Sequence, residues 1–460
     1  MTYDLIVRGG RVVLPGRGVF EADVRVSGER ITALLAPNST VSARQVLDAR
    51  GLHVFPGLID PHVHPGVYKP MDKDYPDLTR FAARGGVTAL QHFIRGNRAL
   101  LEVLPREIAR MERLGAVDFS FNPSPLTKEQ VAELPTIIRE YGITSFKFYA
   151  GYKGVEKSRF GVDQTLDDGF MAEIMGTLRD TGADPVLMVH CENMDLAYWV
   201  RARVSKDFAQ TLAHFEAESP VVAEAEFIWR TFYLGQHYGV RTYAVHLSAG
   251  TTADLAPRVP WFHPERTILE TCPHYLVLDT DAATGLGAVV KPPLRKRGEQ
   301  EGLWEGIRRG VISTIGSDNC STLLDLKKDI TNCNLGFGEL GFTLPILLSE
   351  GYHRRGISLE RIAAVTSGNV ARIMGWAPHK GDIRPGVDAD LVLVDLEREQ
   401  AVDSRAWKGN EDGSVYEGMR LKGWPVATIS RGEVIVREGE YVGHPGRGRF
   451  VRRTLPSKEV

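Results

Sequence analysis

The sequence predicts an α/β fold: a TIM (β/α)8 barrel with a second, smaller β-sandwich-like domain built from both chain ends. Two observations lead there. Between residues 56 and 375, short apolar runs alternate eight times with helix-like segments, the pattern of parallel strands joined by helices. The first fifty residues and the stretch 376–460 instead carry short β-type runs broken by Pro, Gly and charged turns. Neither end alone holds enough apolar residues for a core. They are therefore expected to pack together as one discontinuous domain, 1–55 with 376–460, beside a barrel domain of 56–375.

Taken in order, DLIVRGGRVVL and EADVRVSGERITALL supply the first β segments. Eight candidate barrel strands follow: LHVFPGLID, GVTALQHF, AVDFSFN, ITSFKFYA, PVLMVH, VRTYAVH, TILET and ISTIGSD. Segments between them, such as LTRFAARG, LTKEQVAELPTIIREYG and QEGLWEGIRRG, have helical periodicity and end in Gly, which favours a helix C-cap. DADLVLVDLE returns to the β pattern, and VATISRGEVIVREGEYVG reads as a hairpin-like pair. The Gly/Arg-rich stretch from His444 to Arg453 reads as a short exposed arm.

Composition narrows the function classes. With 56 basic and 58 acidic residues and a net charge of −2, nothing points to nucleic acid or an anionic membrane. No stretch approaches the ~20 apolar residues of a membrane helix, and the early Asp4 and Gly-Gly break argue against a signal peptide. Cys191, Cys272, Cys320 and Cys333 show no disulfide-framework spacing, so a reducing, cytoplasmic setting is expected.

The chemistry lies where the apolar runs end. His62 and His64 follow VFPGLID, Lys147 sits in ITSFKFYAGYKG, His190 ends PVLMVH, His246 ends VRTYAVH, and Asp318 ends ISTIGSD. These are the ends of strands one, four, five, six and eight, the edge where a parallel barrel presents catalytic groups. His62 and His64, two apart in an extended segment, point the same way and suit one metal. Four imidazoles, a carboxylate and a lysine exceed the about three protein ligands of a catalytic zinc, which implies a two-metal hydrolytic site.

Lys147 is the least expected member. An isolated lysine is usually an ion-paired or snorkelling surface group. Buried beside cations, its pKa should fall, and a neutral amine adds carbon dioxide to give a carbamate whose two oxygens can bridge two metals. Single histidines such as His190 and His246 are more often core residues. Here both follow apolar strands and precede the polar loops CENMD and LSAGTT, as expected at the mouth of a site. Asp318 is placed to touch a metal, to take a proton from a bridging water and later to protonate the departing nitrogen.

The ordered motifs PGLIDPHVH, SFKFYAGYKG, VLMVHCEN, YAVHLSAG, ETCPHYL, KPPLR, GSDNCS, KGDIRPGVDADLVLVD and GHPGRGRF cover almost the whole chain. Together they resemble the amidohydrolase superfamily, in its hydantoinase/dihydropyrimidinase branch of cyclic amidases. The resemblance implies metal ligands at His62, His64, Lys147, His190, His246 and Asp318, with Lys147 as N6-carboxylysine. It also implies a substrate-orienting tyrosine at Tyr152, whose phenol would donate to the developing oxyanion. Two divalent ions per subunit follow. Histidine with carboxylate suits zinc and equally admits manganese, cobalt or iron. The family usually forms tetramers, so a homotetramer is expected.

Departures from the family pattern mark the pocket. Pro65-Gly66 stands where dihydroorotases place an arginine, which disfavours that activity. Lys291 stands before PPLR where hydantoinases commonly have a serine that contacts the ring, and it would either meet a substrate anion or pair with a neighbouring acid. NCNLGFGELGF departs from the family's Asn-Gly-Gly segment, leaving Asn334 as the candidate substrate-binding equivalent. The expected activity is hydrolysis of the ring amide of a hydantoin, dihydropyrimidine or related cyclic imide or ureide. Allantoin or another lactam or ureide is the alternative substrate. A non-catalytic scaffold homologue is the rival of another class, and the retention of all six ligand positions argues against it.

Overall fold

The structure is a computed structural model and describes residues 3–37, 39–150, 152, 161–204, 210–330, 333–407, 409 and 412–453. The N-terminal segment forms β1 (Tyr3–Leu14), β2 (Gly18–Ser27), β3 (Arg30–Leu35), β4 (Ala43–Asp48) and β5 (His53–Pro56). β1, β2 and β3 pair antiparallel in sequence order, while β4 and β5 lie parallel to β1.

Eight strands follow: β6 (Leu58–Val63), β7 (Val87–Ile94), β8 (Asp118–Pro123), β9 (Ser145–Tyr149), β10 (Val186–His190), β11 (Arg241–Leu247), β12 (Thr267–Thr271) and β13 (Thr314–Ile315). Seven of them match the expected apolar runs, but the first run, LHVFPGLID, is divided: His53–Pro56 is β5, paired with β1 in the terminal sheet, and only Leu58 onward enters the parallel set as β6. Each pairs only in parallel, in two arcs that keep chain order, β6-β7-β8 and β9 through β13. Nearly all their residues are buried, as expected of parallel strands covered on both faces. Beyond β13, Asn319 forms a parallel bridge with Val63 of β6, and its carbonyl accepts from the His64 amide at 2.8 Å. Between the arcs, Ser145 Oγ of β9 donates to Asn122 Oδ1 of β8.

The helices end as their glycines suggest, with one difference. Lys128–Tyr141 and Gly298–Arg309 close on left-handed Gly142 and Gly310. Gly85, after Met71–Arg84, is not left-handed (φ −76°). It is required there for space, because a Cβ would lie 2.4 Å from the Gly341 carbonyl oxygen.

The C-terminal segment adds β14 (Leu391–Ala401), β15 (Arg420–Ser430), β16 (Glu433–Arg437) and β17 (Glu440–Tyr441). β14 pairs antiparallel with β5, so both chain ends share one nine-stranded sheet. Alternation along β14 explains its place: Leu391 and Leu393 join Leu5, Val7, Val24 and Ile429 in one buried cluster, while Val392 and Val394 join the large central core. The β15–β16 hairpin turns on Arg431 (φ 47°) and Gly432 (φ 76°), the positive pair that a two-residue type I′ turn demands.

The stretch 444–453 is not the exposed arm that its composition suggests. Phe119 of β8 donates to the Arg449 carbonyl and accepts from the Val451 amide, so the stretch lies along β8. The side chain of Arg447 is buried and donates to the carbonyls of Ala116 and Ser430. At the foot of β8, the buried Lys380 ammonium sits 2.8 Å from Asp118, 2.7 Å from Asp390 and 3.2 Å from Asp388. These three aspartates converge closely enough to hold a cation, and Lys380 is that cation. It ties the KGDIRPGVDAD segment to the base of the parallel strands. No helix among the described residues is long and apolar enough to cross a membrane.

Candidate metal centre and active site

All nine residues singled out from the sequence line one cavity of about 480 Å3 at the C-terminal ends of the parallel strands. The end of β6 directs His62, within the strand, and His64, just after it, to the same point: their Nε2 atoms are 3.1 Å apart, and each lies 3.1 Å from Asp318 Oδ1. A second convergence joins β10 to β11, with His190 Nδ1 2.8 Å from His246 Nε2. The two pairs adjoin, since the His62 and His246 ring centroids are 5.5 Å apart. Lys147 is fully buried on β9, its Nζ 5.1 Å from the Phe93 ring and 5.3 Å from the Tyr149 ring. His246 (φ 45°) and Asp318 (φ 52°) hold left-handed backbone, which L-residues other than glycine adopt at a cost and which here turns each side chain inward.

The donor set fits divalent cations. Glu270 Oε1 lies 2.7 Å from His62 Nδ1 and holds the proton there, so the lone pair of Nε2 faces Asp318 and His64. Three electron-pair donors thus meet where only a cation satisfies all of them. With protons alone, burial would lower the pKa of His62, but Asp318 and Glu270 outweigh it and push the imidazole up to about 9. Burial instead pulls His64 down to about 4 and His246 well below its ordinary value. These neutral imidazoles are ready ligands. Asp318 is held well below the usual carboxylate range: burial opposes this, and His62 and His64 overcome it. Burial pulls Lys147 down to about 8, which makes its neutral amine accessible near physiological pH.

Three carboxylates absent from the sequence reading hold this arrangement. Glu270 of β12 also accepts from the Tyr243 hydroxyl at 2.7 Å and the His246 amide at 3.0 Å, so one side chain positions residues of both convergences. Asp60 accepts from the amides of His62 and Ser317. Glu192, two residues past His190, lies 3.3 Å from its Nε2 and accepts from Ser219 Oγ. A signal was present: each is a lone carboxylate within or beside a buried apolar run, where an unpaired charge is costly. Glu270→Gln is expected to weaken metal affinity by about 10–100-fold, because an amide cannot hold the His62 proton as a carboxylate does. Titration of the metal-free protein with zinc checks this, and unchanged affinity would remove the positioning role.

Tyr152 stands beside the second convergence, its ring 5.2 Å from His190 and 5.4 Å from Tyr149. Lys291 pairs with a neighbouring acid, its Nζ 3.2 Å from Glu192, and its side chain also lines the cavity. Asn334 also lines the cavity and donates to Thr322 Oγ1 at 2.9 Å. Arg95, Tyr68, Tyr149, Cys320 and Cys333, none singled out as site residues in the sequence, complete much of the lining. All four cysteines are buried and free of disulfides.

Comparison with known proteins agrees with this architecture. Residues 235–435 match the model of the amidohydrolase family. A D-hydantoinase of Geobacillus stearothermophilus is 31% identical, the match covering 97% of this chain and 96% of the relative. An allantoinase of Rubrobacter xylanophilus is 34% identical over 98% of each chain. Among solved structures, the L-hydantoinase (dihydropyrimidinase) of Arthrobacter aurescens superposes with a TM-score of 0.90 at 28% identity, covering 98% of this chain and all of its own.

Proposed function

The chain belongs to the amidohydrolase family, and from that premise we propose that it hydrolyses the ring amide of a hydantoin, dihydropyrimidine or related cyclic imide or ureide. The observation that carries this reading is the meeting of His62, His64, Lys147, His190, His246 and Asp318 in one cavity large enough for a small ring. In the same reading the two parallel arcs form one (β/α)8 barrel over 56–375. The shared sheet forms a β-sandwich-like domain from 1–55 and 376–460, and the protein works in the cytoplasm as a homotetramer.

His62, His64, His190, His246 and Asp318, together with Lys147 as its carbamate, would hold two divalent ions, zinc being the best match to these donors. Such ions, when bound, lower the pKa of water and polarise an amide carbonyl. Asp318, ionised and facing the cluster, takes the proton released as water attacks the ring carbonyl. It then returns that proton to the nitrogen as the C–N bond breaks, leaving an open chain whose new carboxylic acid releases its proton to solvent as a carboxylate. Tyr152 donates to the oxyanion of the tetrahedral species. Tyr152→Phe should therefore raise the barrier by about 3 kcal/mol, roughly a hundredfold in kcat. A change under about threefold in steady-state kinetics would leave the ring as a packing element of the wall.

The test of the proposal is ring opening of hydantoin, dihydrouracil and allantoin by zinc-loaded protein, followed by product chromatography. The allantoinase relative is the reason for including allantoin. A folded preparation with two bound ions that opens no cyclic amide would overturn it.

A further inference from the structure

Resting on that reading, we propose that the substrate carries a carboxylate on a short side chain, bound between Arg95 and Lys291. Among the described residues, the cavity lining contains three basic side chains other than histidine, Arg95, Lys147 and Lys291, and one carboxylate, Asp318. Lys147 and Asp318 belong to the ligand cluster. The charged lining left to meet the rest of a substrate is positive.

The two cations stand beside a pair of adjacent aromatic rings, Tyr152 and Tyr149. Lys291 Nζ lies 5.5 Å from the Tyr152 ring centroid. Arg95, immediately after β7, hydrogen-bonds the side chain of Tyr149, whose ring is 5.4 Å from that of Tyr152, and its remaining donors line the cavity. Tyr152 in turn touches the His190 side of the cluster. A ring whose amide reaches the cluster therefore projects its substituent toward a guanidinium and an ammonium. The planar fork of Arg95 suits a carboxylate, and Lys291 adds a compact charge with three donors.

Glu192 does not cancel this site. Its side chain is only 2% exposed, and it also engages His190 and Ser219. It offsets part of the Lys291 charge and takes one donor, a second reaches Met194 Sδ at 3.5 Å, and the ammonium is held at the wall with 8% of the side chain exposed. Holding a cation in place before the substrate arrives reduces the ordering cost of binding. Neither cation is needed to recognise an unsubstituted hydantoin or dihydrouracil ring, which is neutral.

The test compares hydantoin-5-acetic acid with hydantoin-5-acetamide, nearly equal in size and different in charge, on zinc-loaded full-length protein. The acid is expected to exceed the amide in kcat/KM by about tenfold or more, mainly through KM, as for a charge-assisted hydrogen-bonded pair. Calorimetric Kd values for the two should differ in the same sense. Arg95→Gln and Lys291→Gln should each lower the acid-to-amide ratio by about tenfold. The ratio is the readout because Lys291 also supports Glu192, so its loss acts on both rates, whereas Arg95 reports independently of Glu192. A ratio near one in the parent, or a preference that both variants keep, overturns the carboxylate assignment while ring opening itself stands. Binding only of the carboxylate formed on ring opening gives that ratio of one. Failure to open any ring, including hydantoin, overturns the underlying hydrolase reading instead.

Discussion

Lys147→Ala is expected to abolish ring opening, by on the order of a thousandfold or more, and to lower metal content below two ions per chain. The side chain is 1% exposed, and burial already pulls its amine toward neutrality, the state that reacts with carbon dioxide. The carbamate so formed would supply the anionic ligand that β9, with no acidic residue of its own, otherwise lacks. Alanine removes it but leaves the flanking apolar residues Phe146 and Phe148 in the core, so the fold should persist by circular dichroism. Short carboxylic acids such as acetate or propionate fit the vacated space and should restore part of the activity. Normal turnover with two ions in Lys147→Ala, read by elemental analysis beside the kinetics, would end the carbamate proposal.

Asp318→Asn is the second large effect, with turnover falling by about 10²–10⁴-fold while metal content changes less. Its Oδ1 is 3.1 Å from both His62 Nε2 and His64 Nε2, and an amide oxygen can occupy that point. An amide cannot carry the proton from water to the leaving nitrogen. Because His62 and His64 hold the carboxyl well below its usual range, it stays ionised at neutral pH and needs no further activation. Equal losses of metal and rate in this variant would assign Asp318 to binding alone.

The parts of the site legible in the sequence share one property: each is announced by its immediate neighbours. An apolar run long enough for one buried strand, with His, Lys or Asp in or just after it, identifies β6, β9, β10, β11 and the turn after β13 without knowledge of any other element, although Lys147 lies at the middle of β9 and not at its expected end. The HxH spacing likewise states that His62 and His64 share a side. The tail shows the opposite case. Gly and Arg around His444–Arg453 read as solvated, yet Arg447 is buried because two distant carbonyls receive it.

The sequence by itself determined where the parallel strands lie, apart from the division of the first run between β5 and β6, and which six side chains stand in or just after them, because strand formation and burial follow from local apolar patterning. Only the tertiary structure decided that Glu270 grips His62 across 208 residues, that Glu192 holds Lys291, and that Arg95 faces the same cavity as Tyr152. These contacts are electrostatic pairings between segments remote in the chain. Their strength depends on separation and burial in space, which the order of residues does not encode locally.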